Sequence, residues 1–167
     1  MKRFFLLCAV ICCTVYCWSM EISFQVIQHY DAVNEVCEQT LVIEDAILDY
    51  FFNSGSIVTN EPAVAADKDE DEKIWRTSFA YAVEGGAQYF IQLCLDYDAA
   101  AKSNAIALSN IRRISWTITD VKANKKIASD KSTVRKSKTG RNDIDGVKEY
   151  ASAIAADMHK MLVKKER

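Results

Sequence analysis

Residues 88–97 narrow the fold more than any other segment. In an extended chain Tyr89, Ile91, Leu93, Leu95 and Tyr97 point one way, and Phe90, Gln92, Cys94 and Asp96 point the other. Both faces carry apolar side chains, which suits a strand inside a sheet rather than at its edge. Residues 22–27 alternate apolar and polar and predict a first strand. A helix follows from about residue 33 to 53, capped by Asp31 or Asn34. Cys37, Leu41, Leu48 and Phe51 form its apolar stripe, widened by Ile43, Ile47 and Phe52, and Gly55 ends it. A short strand over 56–60 closes at Glu61-Pro62. Five acids within residues 67–72 lead into a second helix over 73–84, with Ile74, Trp75, Phe79, Ala82 and Val83 available to pack, and Gly85-Gly86 breaks it. Residues 112–121 predict a strand, 122–125 a turn and 126–135 its hairpin partner. A last helix over 146–164 places Val147, Tyr150, Ile154, Met158 and Met161 on one stripe. The order β-α-β-α-β-β-β-α predicts an α+β fold, a single mixed sheet of about four or five strands with helices packed on it.

The N-terminus has the parts of an export signal. Lys2 and Arg3 precede an almost wholly apolar stretch from Phe4 to Trp18, and Cys17 and Ser19 are small residues suited to cleavage after Ser19. Cleavage after Met20 is the alternative. As a helix the apolar stretch would span about 22 Å, short of a membrane core of about 30 Å. Two rival readings are an uncleaved anchor and a lipoprotein, and membrane association is expected only under one of these. The residues before Cys8, Cys12, Cys13 and Cys17 are Leu7, Ile11, Cys12 and Tyr16, none of them the usual Gly, Ala or Ser. The expectation is a signal over residues 1–19 and one globular domain over 20–167, periplasmic or secreted, with a lipid-anchored envelope protein as runner-up. Lys2 and Arg3 leave with the signal and no acid does, taking the net charge from −2 to −4. That balance implies no nucleic-acid partner.

Cys37 and Cys94 are the cysteines left in an export compartment, where disulfides persist. Bonded, they would close a loop of about 58 residues and stabilise the fold by about 4 kcal/mol. Free, they are two small buried hydrophobes. Both readings stand at this point.

Catalytic and metal motifs do not emerge. The histidines are His29 and His159, without ligand spacing for zinc, and no Gly-x-Ser-x-Gly is present. Residues 142–146 resemble part of a calcium loop, but aligning Gly146 to its sixth position puts Arg141 first and Ser152 twelfth, where carboxylates are required. A turn with Asp145 as helix cap explains that segment. Asp96 and Asp98 read as solvated acids at a strand end. An enzyme would need a cleft gathering Asp96, Asp98 or His29. No cofactor is expected.

The strongest charge feature is Lys122, Lys125, Lys126, Lys131, Arg135, Lys136, Lys138 and Arg141 against only Asp130. It reads either as a solvated hairpin and loop or as a contact surface for an anionic envelope component or an acidic protein. Few aromatics are interleaved, so base stacking is not indicated.

Residues 46–58, a helix ending at Gly55 before a short strand, and residues 116–129, a hairpin, resemble a group of small bacterial envelope modules. These are the N-terminal domain of TolB, the lipoprotein activators of peptidoglycan synthases and the periplasmic domain of the curli secretion channel subunit. The resemblance covers most of residues 22–164. It implies a mixed sheet flanked by helices and a role in binding other envelope components, and carries over no functional residue. The leading expectation is a non-catalytic accessory or binding module of the bacterial envelope. The alternative is a carrier of small apolar ligands or lipids, marked by a closed pocket lined by Trp75 or Trp116.

Overall fold

The computed structural model describes residues 19–101, 104–133 and 140–165. The expected signal with its cysteines, and Arg135, Lys136 and Lys138, lie outside them.

One open mixed sheet carries the fold. Its strands are β1 (Glu21–His29), β2 (Ile57–Asn60), β3 (Val64–Ala65), β4 (Tyr89–Tyr97), β5 (Ile111–Asp120) and β6 (Lys125–Thr133), and its helices are α1 (Glu38–Asn53), α2 (Asp71–Glu84) and α3 (Ile144–Lys165). The spatial order is β2-β1-β4-β5-β6, with β3 also paired to β1. β2, β3 and β4 run parallel to β1, and β5 and β6 add an antiparallel hairpin. The strand predicted from the two-faced apolar pattern of residues 88–97 lies inside the sheet, between β1 and β5.

Chain direction decides which face each helix covers. The crossover from β1 to β2 moves one way across the sheet, and that from β3 to β4 moves back past β1. Parallel crossovers are right-handed, so opposite directions place their helices on opposite faces. Ile43, Ile47 and Phe51 of α1 accordingly share a core with Val147, Ala155 and Met158 of α3 and with Ile91, Leu93 and Leu95 of β4. On the other face Trp75 and Phe79 of α2 stack at 4.7 Å and meet Phe90 edge-on.

Three local expectations differ from what the fold does. Leu41 and Phe52, assigned to the packed face of α1, are exposed at 45% and 74%. The buried face centres on Ile43 and Ile47 because α3 lies beside α1, and Leu41 and Phe52 sit roughly 100° or more around the helix from that centre. Likewise Val83 of α2 and Met161 of α3 are exposed, while Ser78 and Leu162 are buried. Helix α1 also starts later than residue 33, at Glu38, and neither Asp31 nor Asn34 caps it. Gln28 of β1 does so from across the sheet face: its side-chain oxygen accepts the Cys37 N–H at 2.9 Å and the Thr40 hydroxyl at 2.7 Å. At the start of α3 the cap is Asp143 rather than Asp145, accepting the Gly146 N–H at 3.0 Å.

Candidate functional site

The sheet has two ends with different chemistry. At the carboxyl end β1 and β4 finish side by side, and His29 pairs in register with Asp96. Alternation along β1 sends Ser23, Gln25 and His29 toward α2, whereas Phe24, Val26 and Gln28 face α1. His29 therefore meets the first turn of α2. Its Nδ1 lies 2.9 Å from Asp96 Oδ1 and its Nε2 lies 2.7 Å from Asp71 Oδ1. Arg113, from the start of β5, pairs with the second oxygen of Asp96, and Lys68 Nζ approaches the first at 3.4 Å. Asp96 is buried, and that burial works to raise its pKa. The His29 hydrogen bond and the charges of Arg113 and Lys68 outweigh it and hold the carboxyl below the usual range.

His29 and Asp96, which the enzyme reading required together, do meet. Asp98 does not join them; it caps a turn by accepting the Ala100 N–H at 2.9 Å. Both ring nitrogens of His29 face carboxylates and both oxygens of Asp96 face cations or His29, while Arg113 Nε is buried without a hydrogen-bond partner among the described residues. What the cluster does is pin α2, β1, β4 and β5 together. An open, polar groove of about 450 Å³ lies at this end as well, rimmed by Asp31, Asn34, Asp67 and Glu70. Among the described residues no set of three or more His, Cys, Asp or Glu is placed to hold a metal.

Cys37 and Cys94 are free thiols here. Cys37 is in the α1-side core and Cys94 lies on the α2 face, so the sheet separates them. Burial pushes the Cys94 thiol up to about 12, with Asp71 and Asp96 adding to the effect and Arg113 opposing it. Trp116 is buried, and Trp75 stacks on Phe79 and meets Phe90 edge-on.

The basic run divides. Lys122 sits on the β5–β6 turn and Lys125, Lys126 and Lys131 lie exposed along β6, the outermost strand. From Lys125 to Lys131 is about 20 Å of strand. Arg141 is at the other end of the sheet, occupied by Asp143 at 3.2 Å and by Asp145. Lys125 and Lys126 acquire different neighbours, Lys164 and Lys165 from the last turn of α3. Together with Asp120, Ala123, Ile127 and Met161 these four lysines line an open groove of about 630 Å³. Lys165 pairs with Asp120, holding that carboxyl below its ordinary range, and rests 5.5 Å from the centre of the Tyr89 ring. Sequence reasoning missed Lys164, Lys165 and the exposed face of Met161. The paired lysines near the chain's end are the only signal in the sequence that could have found them.

Among solved structures, the chain is similar to a PelC dodecamer from Paraburkholderia phytofirmans, at 13% identity and a TM-score of 0.50, over 86% of this chain and 89% of that one. The C-terminal domain of LpoB from Salmonella enterica matches at 12% identity and a TM-score of 0.39, over 76% of this chain and 91% of that one. TolB from Acinetobacter baumannii, whose relatives the element order resembles, matches at 10% identity and a TM-score of 0.43, over 86% of this chain and 29% of that one. At such identities the PelC likeness is one of fold: one mixed sheet with flanking helices. No curated protein matches the chain. The family model described as "Uncharacterised protein" matches residues 21–163, nearly the whole of the described fold, and the chain belongs to that family.

Proposed function

We propose that the chain is a non-catalytic accessory module, exported to the bacterial cell envelope, that works by binding another envelope component. The observation that carries this reading is how its charges are divided. The buried pair His29 and Asp96 is bound to half-buried Asp71 and Arg113 and to exposed Lys68, and this cluster holds the fold. The lysines of β6 and of the last turn of α3 stand instead on an open surface. The apolar segment over residues 4–18, behind Lys2 and Arg3, supports export, and removal after Ser19 leaves a single domain from Met20 onward.

Crosslinking in bacterial cells expressing the full precursor, followed by identification of what is captured, tests the reading. N-terminal sequencing of the recovered protein accompanies it. Recovery of an envelope protein or an anionic envelope component on a chain beginning at Met20 is expected. An intact precursor in the cytosol, or capture of metabolites alone, would refute the reading.

A further inference from the structure

We propose that the end of the sheet where β1 and β4 begin docks on an anionic phospholipid bilayer, through the groove between the β5–β6 hairpin and the last turn of α3. This rests on the reading of the chain as an exported envelope module and names the component it binds.

Three observations meet at this end. The first is charge. Lys125, Lys126, Lys164 and Lys165 line the groove, Lys122 lies on the adjoining turn, and the one carboxylate among the described residues of the lining, Asp120, is already paired with Lys165; Glu21 and Glu84 are exposed elsewhere at this end. Such lysines fit phosphate headgroups as mobile point charges on long stems. The second is the apolar content between them. Ile127 lines the groove and Met161 is 47% exposed, a side chain that a wet surface does not stabilise and that the headgroup region of a bilayer accepts.

The third is where the remaining chain attaches. Gln88 donates its N–H to Glu21 O at 2.9 Å, and Val121 donates to Gln88 O at 3.0 Å, so the start of β1 and the β5–β6 turn share one end of the sheet. Ser19 is fastened there too, its hydroxyl donating to Gly55 O at 2.7 Å. Residues 1–18, with the apolar stretch 4–18, therefore join the domain at the lysine-bearing end. An export segment held in the membrane before its removal would leave this end of the domain beside the bilayer. An acidic protein would satisfy the lysines equally well, but it gives no account of why the apolar segment joins at this end.

The test uses residues 20–167, lacking the apolar segment, sedimented with vesicles of phosphatidylglycerol mixed into phosphatidylcholine and with vesicles of phosphatidylcholine alone. Binding to the anionic vesicles, weakened by salt, and little binding to the neutral ones are expected. A lysine near such a surface contributes roughly fivefold in affinity, so the double variant Lys126→Glu, Lys164→Glu should lose about thirtyfold or more. Both side chains are exposed, and its melting curve should match the parent's. Lys148→Glu, exposed near the far end of α3, should leave binding unchanged, and Met161→Ser should weaken it severalfold. Equal binding to both vesicle types, no binding to either, or a Lys148→Glu loss as large as that of the double variant would each overturn the proposal. If vesicles are ignored while crosslinking in cells still recovers an envelope protein, the bilayer docking fails and the module reading stands.

Discussion

Replacing Gln28 with methionine tests how this fold starts its main helix. Gln28 is fully buried, and three hydrogen bonds converge on its amide. Its oxygen accepts the Cys37 N–H at 2.9 Å and the Thr40 hydroxyl at 2.7 Å, and its nitrogen donates to Glu35 O at 2.9 Å. Methionine keeps the length and volume, so the change removes polarity without opening a cavity. The Cys37 N–H is then a buried donor with no partner, costing about 1–3 kcal/mol. Thr40 keeps its bond to Tyr97 Oη at 2.9 Å, and Glu35, being exposed, can turn its carbonyl to water. The sum is a loss of about 2–3 kcal/mol, or a fall in melting temperature of roughly 5–10 °C for a domain of this size. Urea unfolding gives the free energy, and hydrogen exchange at the Cys37 amide locates it, since protection should fall there first. Adding Thr40→Val to Gln28→Met should cost less than the two single losses combined, because both remove members of one network. A loss below about 0.5 kcal/mol, or strict additivity in the double variant, would refute the idea that a strand side chain caps this helix.

Gly146→Ala should destabilise the domain by about 1–3 kcal/mol in a thermal melt, against alanine's helix preference. A Cβ at Gly146 would lie 2.5 Å from Arg141 O and 2.9 Å from its carbonyl carbon, and both atoms are backbone. Asp96 makes stability pH-dependent on the acid side. Its folded pKa is held below the unfolded value of about 3.9, so its contribution is fully present above that value and is lost as pH falls through the folded one. Asp96→Asn should flatten this part of a stability-against-pH curve, and an unchanged acid limb would count against the cluster. In the mature chain, two thiols should react with a disulfide reagent after denaturation without reductant, whereas in the native protein Cys94 should react slowly because its thiol is pushed up to about 12. Finding no reactive thiol in the denatured chain would establish a bond that the structure does not contain.

The order of elements was legible because each strand and helix was written in its own period. The apolar residues of 88–97 at both parities could not be satisfied at an edge, and β4 lies inside the sheet. Gly55, at φ +83°, ended α1 where a left-handed residue was required. The hairpin turn at residues 122–125 was likewise readable, with Asn124 adopting φ +46°. Strand β1 was legible as a strand but not as a core one. Its Ser23, Gln25 and His29 look like the outward half of an alternating pattern, and Gln28 like a polar end to the inward half, yet all four are buried. A sheet covered on both faces turns those polar residues into partners for each helix: Gln25 accepts the Ser78 hydroxyl at 2.9 Å, and His29 takes Asp71.

What the sequence by itself determined is local: periodicity, turn residues, the apolar stretch over residues 4–18 and the balance of charge, each set by neighbours a few positions away. Only the tertiary structure decided which of two helical faces is buried, which charges meet and which stand free. Asp96 and His29 are 67 positions apart and join because parallel strands lie side by side. Lys126 and Lys164 line one groove because α3 runs back to the hairpin end of the sheet. Arg141, close in sequence to the other basic residues, is separated from them because the chain has by then returned to the opposite end. Proximity along the chain sets conformation, and packing sets which side chains share a surface.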